Sequence, residues 1–227
     1  MGKIYTALGL MSGTSMDGVD ASIVRSDGNR EYSIKLDKYF EYGDEIRQKL
    51  INIRAKVMMV NDLEVHSNEI QSLEREITLF HANAVNEIIK TSKIEIDLLG
   101  FHGQTIFHDP KKKISKQLGD GNLLSQLTKK LVVYDFRQND LKNGGQGAPL
   151  APIYHKLLVE TFKEEGKIKL PITILNIGGI SNTTSIDENY KITSMDIGPG
   201  NCLIDKWIRV NSDKNFDKNG DIAKAGK

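Results

Sequence analysis

A single cysteine, Cys202, is all the thiol this chain of 227 residues carries. That excludes an intramolecular disulfide and a Cys-based zinc cluster, and it suits a reducing compartment. Charge of one sign is also missing: 31 Lys and Arg stand against 30 Asp and Glu, a formal net charge of +1. Whole-surface binding of nucleic acid or of an acidic membrane needs a concentrated basic face, so neither partner is expected. No window approaches the ~20 apolar residues of a membrane span. The opening MGKIYTA has one Lys and a short apolar stretch, lacking the long apolar run and cleavage site of a signal peptide. The expectation is a soluble, cytoplasmic protein. Two familiar nucleotide motifs are absent too. There is no G-x-x-x-x-G-K-[ST], and Gly119-Asp120-Gly121 lacks the third glycine of a dinucleotide loop, so neither a P-loop nor a Rossmann site is expected.

What is present is a normal globular composition. The 39% hydrophobic residues and 20 glycines together approach the ~45–50% apolar share of ordinary domains. At ~100–200 residues per domain the chain accommodates one large domain or two small ones. Residues 4–10, IYTALGL, read as a strand ending in the turn-rich MSGTSMDG. VDASIV at 19–24 resumes the extended pattern, and YSIKLDKYF near 32–40 completes a meander. Between 62 and 90, Ile70, Leu73, Ile77, Phe80, Ala84 and Ile88 recur every three or four residues, which predicts one long helix with a single buried face; His66 and His81 fall on it as structural residues. IDLLGFH at 96–102 reads as a buried strand, Lys111-Lys112-Lys113 as a solvated turn, 121–130 as a helix and LVVYDF at 131–136 as a strand. The Gly- and Pro-rich loop DLKNGGQGAPLAP at 140–152 precedes a helix near 153–165 and a domain boundary. PITILNIGGISNTTSI at 171–186 then repeats the N-terminal plan of strand, Gly/Ser/Asn turn and strand. YKITSMDI at 190–197 adds a third strand, and Asn201 is placed to cap a helix through Leu203, Trp207 and Val210. Two related halves are expected.

Two glycine-bearing turns in equivalent places of two halves can aim backbone N–H groups at a shared anion, and phosphate is the anion such nests suit. In the first, Gly13 and Gly18 permit close approach, Thr14 and Ser15 offer hydroxyls, and Asp17 or Asp20 can hold magnesium through water. The alternative is ordinary hairpin chemistry, which Ser-Gly-Thr-Ser and Asp-Gly serve equally. Asp196 ends an apolar strand just before Gly198-Pro199-Gly200. There it can take a proton in phosphoryl-transfer chemistry, or simply bond its own turn. His102 and His108, six apart, have no recurring metal-ligand geometry, and His102 reads as a polar contact near a pocket. Cys202 has no evident base beside it.

Together GLMSGTSMDGVD at 9–20, GFHGQTIFH at 100–108, DFRQNDLKNGGQGAPLAP at 135–152, NIGGISN at 176–182 and MDIGPGNCLIDKW at 195–207 resemble the anhydro-N-acetylmuramic acid kinases. These belong to the actin, Hsp70 and sugar-kinase superfamily. The resemblance implies an α/β, ribonuclease H-like fold. Its first domain, 1–140, would be complete, 141–170 a crossover, and 171–227 the start of a truncated second domain. It implies an ATP-dependent enzyme of cell-wall recycling and amino-sugar metabolism. The reaction joins 1,6-anhydro-N-acetylmuramic acid, ATP and water to give N-acetylmuramic acid 6-phosphate and ADP. By that resemblance Gly13, Thr14, Ser15, Met16, Asp17, Gly18, Val19 and Asp20 form the ATP phosphate loop. Gly178, Gly179 and Asn182 form a second phosphate turn, and Asp196 is the general base. Mg2+ bridges the β- and γ-oxygens, and His102, Gln104, Thr105 and Arg137 line the sugar side.

Two departures bear on this. Family members commonly read D-F-R-R-R-D where this chain has Gln138 and Asn139 after Arg137. If those arginines meet the substrate's lactyl carboxylate, charge-assisted hydrogen bonds of roughly 1.5–3 kcal/mol each are lost. The family also continues past the position of Lys227, into the adenosine pocket and a second acidic residue near the sugar. The chain is therefore expected to be an anhydro-sugar kinase, alone, as a homodimer, or with a complementing C-terminal chain. The alternative is an inactive remnant or a non-catalytic binding module. A superfamily kinase for another sugar ranks below both.

Overall fold

The computed structural model describes residues 3–226. Met1 and Gly2, which open the N-terminal stretch read above, and Lys227 lie outside the described residues. The chain divides into two units, the first ending at Leu150 and the second starting at Ala151.

The first unit opens with an antiparallel meander, β1 (Tyr5–Ser12), β2 (Gly18–Ser26) and β3 (Tyr32–Glu41). Helices α1 (Asp44–Lys56), α2 (Val60–Val65) and α3 (Ser67–Ser92) follow. Then come β4 (Leu98–Asp109), β5 (Ile114–Leu118), α4 (Gly121–Thr128), β6 (Leu131–Tyr134) and α5 (Phe136–Lys142). The mixed sheet runs β3-β2-β1-β4-β5, with β6 also on β4. β4 lies parallel to β1. On its other edge Leu98–Phe101 pair in parallel with β6, and Gln104–Asp109 pair antiparallel with β5. The predicted face of α3 packs on this sheet: Ile70, Leu73, Ile77 and Ile88 are buried in one cluster with Leu8, Ile23, Leu99 and Phe101, with Phe80 partly buried against it; Ala84 is buried as well. None of the helices among the described residues is long and apolar enough to cross a membrane.

Four features differ from the sequence reading. α1 was not foreseen, because its buried positions are Arg47, Leu50 and Ile53, and an arginine in the stripe interrupts the apolar period. β4 runs seven residues past the expected strand end at 102 because β5 pairs with its extension; β5 itself, ISKQL, carries no apolar alternation. Phe136 begins a helix rather than ending a strand, since Asp135 turns the chain with φ 59°. His66 sits at the junction of α2 and α3 rather than within the helix.

The second unit holds α6 (Pro152–Glu164), β7 (Ile172–Ile177), β8 (Ile180–Ile186), β9 (Ile192–Pro199), α7 (Cys202–Asn211) and α8 (Asp221–Ala225). β7, β8 and β9 form an antiparallel meander in the same sequential order as β1 to β3. α6 is fixed to β8 by a 2.8 Å hydrogen bond between His155 Nδ1 and the buried Thr184 Oγ1.

Candidate functional site

The turn from β1 to β2 spans residues 13–17, and three of its carbonyls, those of Gly13, Thr14 and Asp17, accept hydrogen bonds from the protein. Gly13 O accepts from the amide Nε2 of Gln104 (2.9 Å) and from Met16 N–H (3.3 Å). Thr14 O accepts from Arg54 Nη1 (3.3 Å), and Asp17 O from the Tyr42 N–H (2.8 Å). Engaging these carbonyls fixes which way their peptides face, and so where the adjoining N–H groups point. Among the described residues no protein group accepts from the N–H of Thr14 or Ser15. The turn is pinned further by Met16, left-handed at φ 55° with its side chain buried, and by Ser15 Oγ donating to Asp17 Oδ1.

Gly18 earns its place differently from the expectation. A Cβ there would lie 2.3 Å from Phe40 O and 2.7 Å from the Tyr39 ring, so the close approach is to β3. Gly13 is open, its nearest neighbour for a Cβ being Ser15 Oγ at 3.6 Å. Val19 is buried in the core. Asp20 is exposed, and its carboxyl is pushed above the usual range by desolvation and by the nearby Asp17 carboxylate. Tyr39 is pushed up to about 12 by burial and by Asp17, Glu41 and Asp20. Negative charge is therefore concentrated beside the turn.

The four expected sugar-side residues separate. Gln104 is fully buried and serves the turn, and its Oε1 has no hydrogen-bond partner. Thr105 Oγ1 accepts from Gln117 Nε2 (3.2 Å). His102 and Arg137 meet: Arg137 donates to His102 Nε2 from Nη2 (2.7 Å) and Nε (3.2 Å), and to Gly147 O from Nη1 (2.6 Å). His102 Nδ1 lies 2.7 Å from Gly103 O, which can only accept, so Nδ1 carries the proton and Nε2 receives the guanidinium. Burial, reinforced by the Arg137 charge, pulls His102 down to about 4. Beside them a cavity of about 290 Å³ is lined by His102, Lys116, Gln117, Asp135 and Gln138, with Glu74 on its wall. Gln138 donates to Ser115 O (3.0 Å), and burial raises the Asp135 carboxyl.

In the second unit, the Gly178-Gly179 turn joins β7 to β8, and the end of β9 lies alongside. A bulge at Ile197 separates the Ser181–Gly198 and Asn182–Asp196 pairs, leaving the exposed Asp196 beside Asn182. Asn201 does not cap α7 through its side chain. Backbone bonds do that work: Asn201 N–H donates to Gly178 O (2.8 Å), Gly200 and Cys202 N–H to Gly179 O (3.0 and 3.3 Å). A Cβ on Gly200 would stand 2.1 Å from Gly178 O, so only glycine permits this contact.

Sequence reasoning missed Tyr42, Arg54, Glu74, Lys116 and Gln117. Glu74 reaches from α3 to accept from Lys116 Nζ (2.7 Å) and Gly119 N–H (3.1 Å). The partners lie more than 40 residues apart along the chain, and no local spacing signals them.

Comparison with known proteins follows from these motifs. The family model described as Anhydro-N-acetylmuramic acid kinase matches residues 5–227. A Pelagibacter ubique protein of that name is 56% identical over 229 residues, covering 100% of this chain and 60% of the relative. An Agrobacterium fabrum protein of the same name is 41% identical over 229 residues, covering 100% and 61%. The chain spans about three fifths of the length of these curated relatives. A solved Ppx/GppA family member from Aquifex aeolicus superposes with a TM-score of 0.38 at 10% identity, covering 90% of this chain and 54% of that one. That likeness is too small to carry a fold assignment.

Proposed function

We propose, for a chain that belongs to the anhydro-N-acetylmuramic acid kinase family, that its first unit grips the triphosphate of ATP and its second supplies the general base of a ring-opening phosphoryl transfer. The finer fold reading is ribonuclease H-like, since each unit contains a three-stranded antiparallel meander in sequential order. The observation that carries the proposal is the turn at 13–17. With the Gly13, Thr14 and Asp17 carbonyls engaged by protein donors, the N–H groups of Thr14 and Ser15 are left for an anion. Gly178, Gly179 and Asn182 are assigned to a second phosphate contact.

Phosphoryl transfer asks the protein mainly to position groups and neutralise charge. Asp196 takes a proton from water, whose oxygen bonds to the anomeric carbon as the bond from that carbon to O6 breaks. O6 then takes the γ-phosphoryl group, and ADP leaves. Asp17 and Asp20 are the residues that would hold magnesium, because Asp20 is raised by desolvation and then by the Asp17 carboxylate, and a cation offsets both; when bound it would neutralise phosphate charge. The amino-sugar end is assigned to the His102–Arg137 pair and the cavity beside it. Neutral Gln138, which lines that cavity, weakens recognition of a carboxylate there. The reaction would be cytoplasmic.

The test is ADP release by the purified chain with ATP, magnesium and 1,6-anhydro-N-acetylmuramic acid. Sugar-dependent ADP formation is expected, falling about 10²–10⁴-fold in Asp196→Asn as for loss of a general base. Sugar-independent release, or an unaffected variant, overturns the assignment.

A second reading, half of a two-part kinase or a binding module, draws on exposed Leu175, Ile177, Met195, Ile197 and Trp207 in β7, β9 and α7. Contiguous apolar surface commonly marks an interaction site. Sedimentation and ANS binding decide: a dye-silent monomer speaks against it.

A further inference from the structure

We infer that Tyr42 is a positioning residue that sets the span of the 13–17 turn, acting through a buried, proton-ordered chain to Ser12 and His81. The inference deepens the phosphate-grip reading and rests on it for its consequence, though not for its geometry. Tyr42 touches both ends of the turn. Its backbone N–H donates to Asp17 O at 2.8 Å, and its phenol lies 2.9 Å from Ser12 Oγ, the residue just before Gly13. The ring is 3% exposed and packs edge-on against Phe80, with centroids 4.8 Å apart.

The direction of the chain follows from one carbonyl. His81 Nδ1 is 2.7 Å from Ile77 O; a carbonyl only accepts, so Nδ1 bears the hydrogen. Burial pulls His81 down to about 4 and keeps it neutral near pH 7, so Nε2 presents a lone pair. Ser12 Oγ, 3.2 Å away, donates to it and therefore accepts from the Tyr42 hydroxyl. Tyr42, Ser12 and His81 are all buried, so water does not compete for these bonds, and no hydrogen in the chain has an alternative place. Ser12 also pairs with Gln104 across β1 and β4, and Gln104 holds Gly13 O. Helix α3 is thereby tied to the start of the turn, and Tyr42 carries the tie to its end.

Tyr42→Phe keeps the ring and the backbone bond while cutting the chain. The test uses the whole chain and two readouts. In nucleotide-free protein, the amide resonances of residues 13–17 are expected to move in Tyr42→Phe and in Ser12→Ala, with those of β7 to β9 unmoved. In calorimetry, ATP with magnesium is expected to bind about tenfold more weakly to Tyr42→Phe, as for loss of one hydrogen bond. Ser12→Ala in that background should add less than twofold, because both cut one chain. Unmoved turn amides overturn the inference whatever the nucleotide does. Moved amides with unchanged ATP affinity, or losses that multiply, overturn its consequence for phosphate. A wild-type chain that binds no ATP but whose turn amides move in the variants sinks the phosphate-grip reading and leaves the positioning role standing.

Discussion

At the scale of single residues, the two buried histidines of the first unit decide how the molecule responds to acid. His81 and His102 are both pulled down to about 4, chiefly by desolvation, against about 6.5 in an unfolded chain. Between those values the unfolded state binds the protons and the folded state does not, so stability is full above pH 6.5 and falls as pH drops towards 4. The slope is about 1.4 kcal/mol per pH unit for each histidine. Urea denaturation from pH 7 to 4.5 should show this decline, and His102→Asn should flatten it by about half. A flat profile would mean that neither ring is held below its unfolded value in the fold. The same neutrality makes His102 an acceptor for Arg137, so its chemistry is set by burial, where its sequence neighbours suggested only a polar contact.

At the scale of elements, the first turn depends on how closely β2 approaches β3. Gly18 opens β2 opposite Glu41, and a side chain there meets the Phe40 carbonyl at 2.3 Å. Backbone cannot step aside as a flexible side chain can, so Gly18→Ala should destabilise by about 1–3 kcal/mol, the usual cost of overpacking. Thermal unfolding checks this, and a variant as stable as wild type would show that the two strands separate freely. Such pairing also explains the errors in reading elements. α3 announces itself through Ile70, Leu73, Ile77, Ala84 and Ile88, whereas β5 exists because β4 extends to Asp109 and offers it an edge. In α1 the inward position of Arg47 breaks the periodicity that would have revealed the helix.

At the scale of the whole molecule, the two units bury their apolar side chains unequally. Among the described residues the second unit contributes only Val159, Ile186 and Ile208 to the buried apolar set, while Leu175, Ile177, Met195, Ile197, Leu203, Ile204, Trp207 and Val210 are exposed. Local stability follows burial, so hydrogen exchange by mass spectrometry should show β7 to β9 exchanging well before β1, β4 and α3. Equal protection would show that the apolar surface is covered in solution. Composition and the five motifs were enough to determine the family, the strand-turn-strand openings and the long amphipathic helix, because these are written in short-range spacing. Which residues hold the turn was not written there. Tyr42 reaches it from the loop between β3 and α1, Arg54 from α1 and Gln104 from β4, while His81 on α3 holds Ser12 just before it; Gln104, read from its motif as a substrate contact, is buried and bonds the turn. The bonds that orient a turn run between residues brought together only when the sheet and helices pack, and no local pattern encodes that distance.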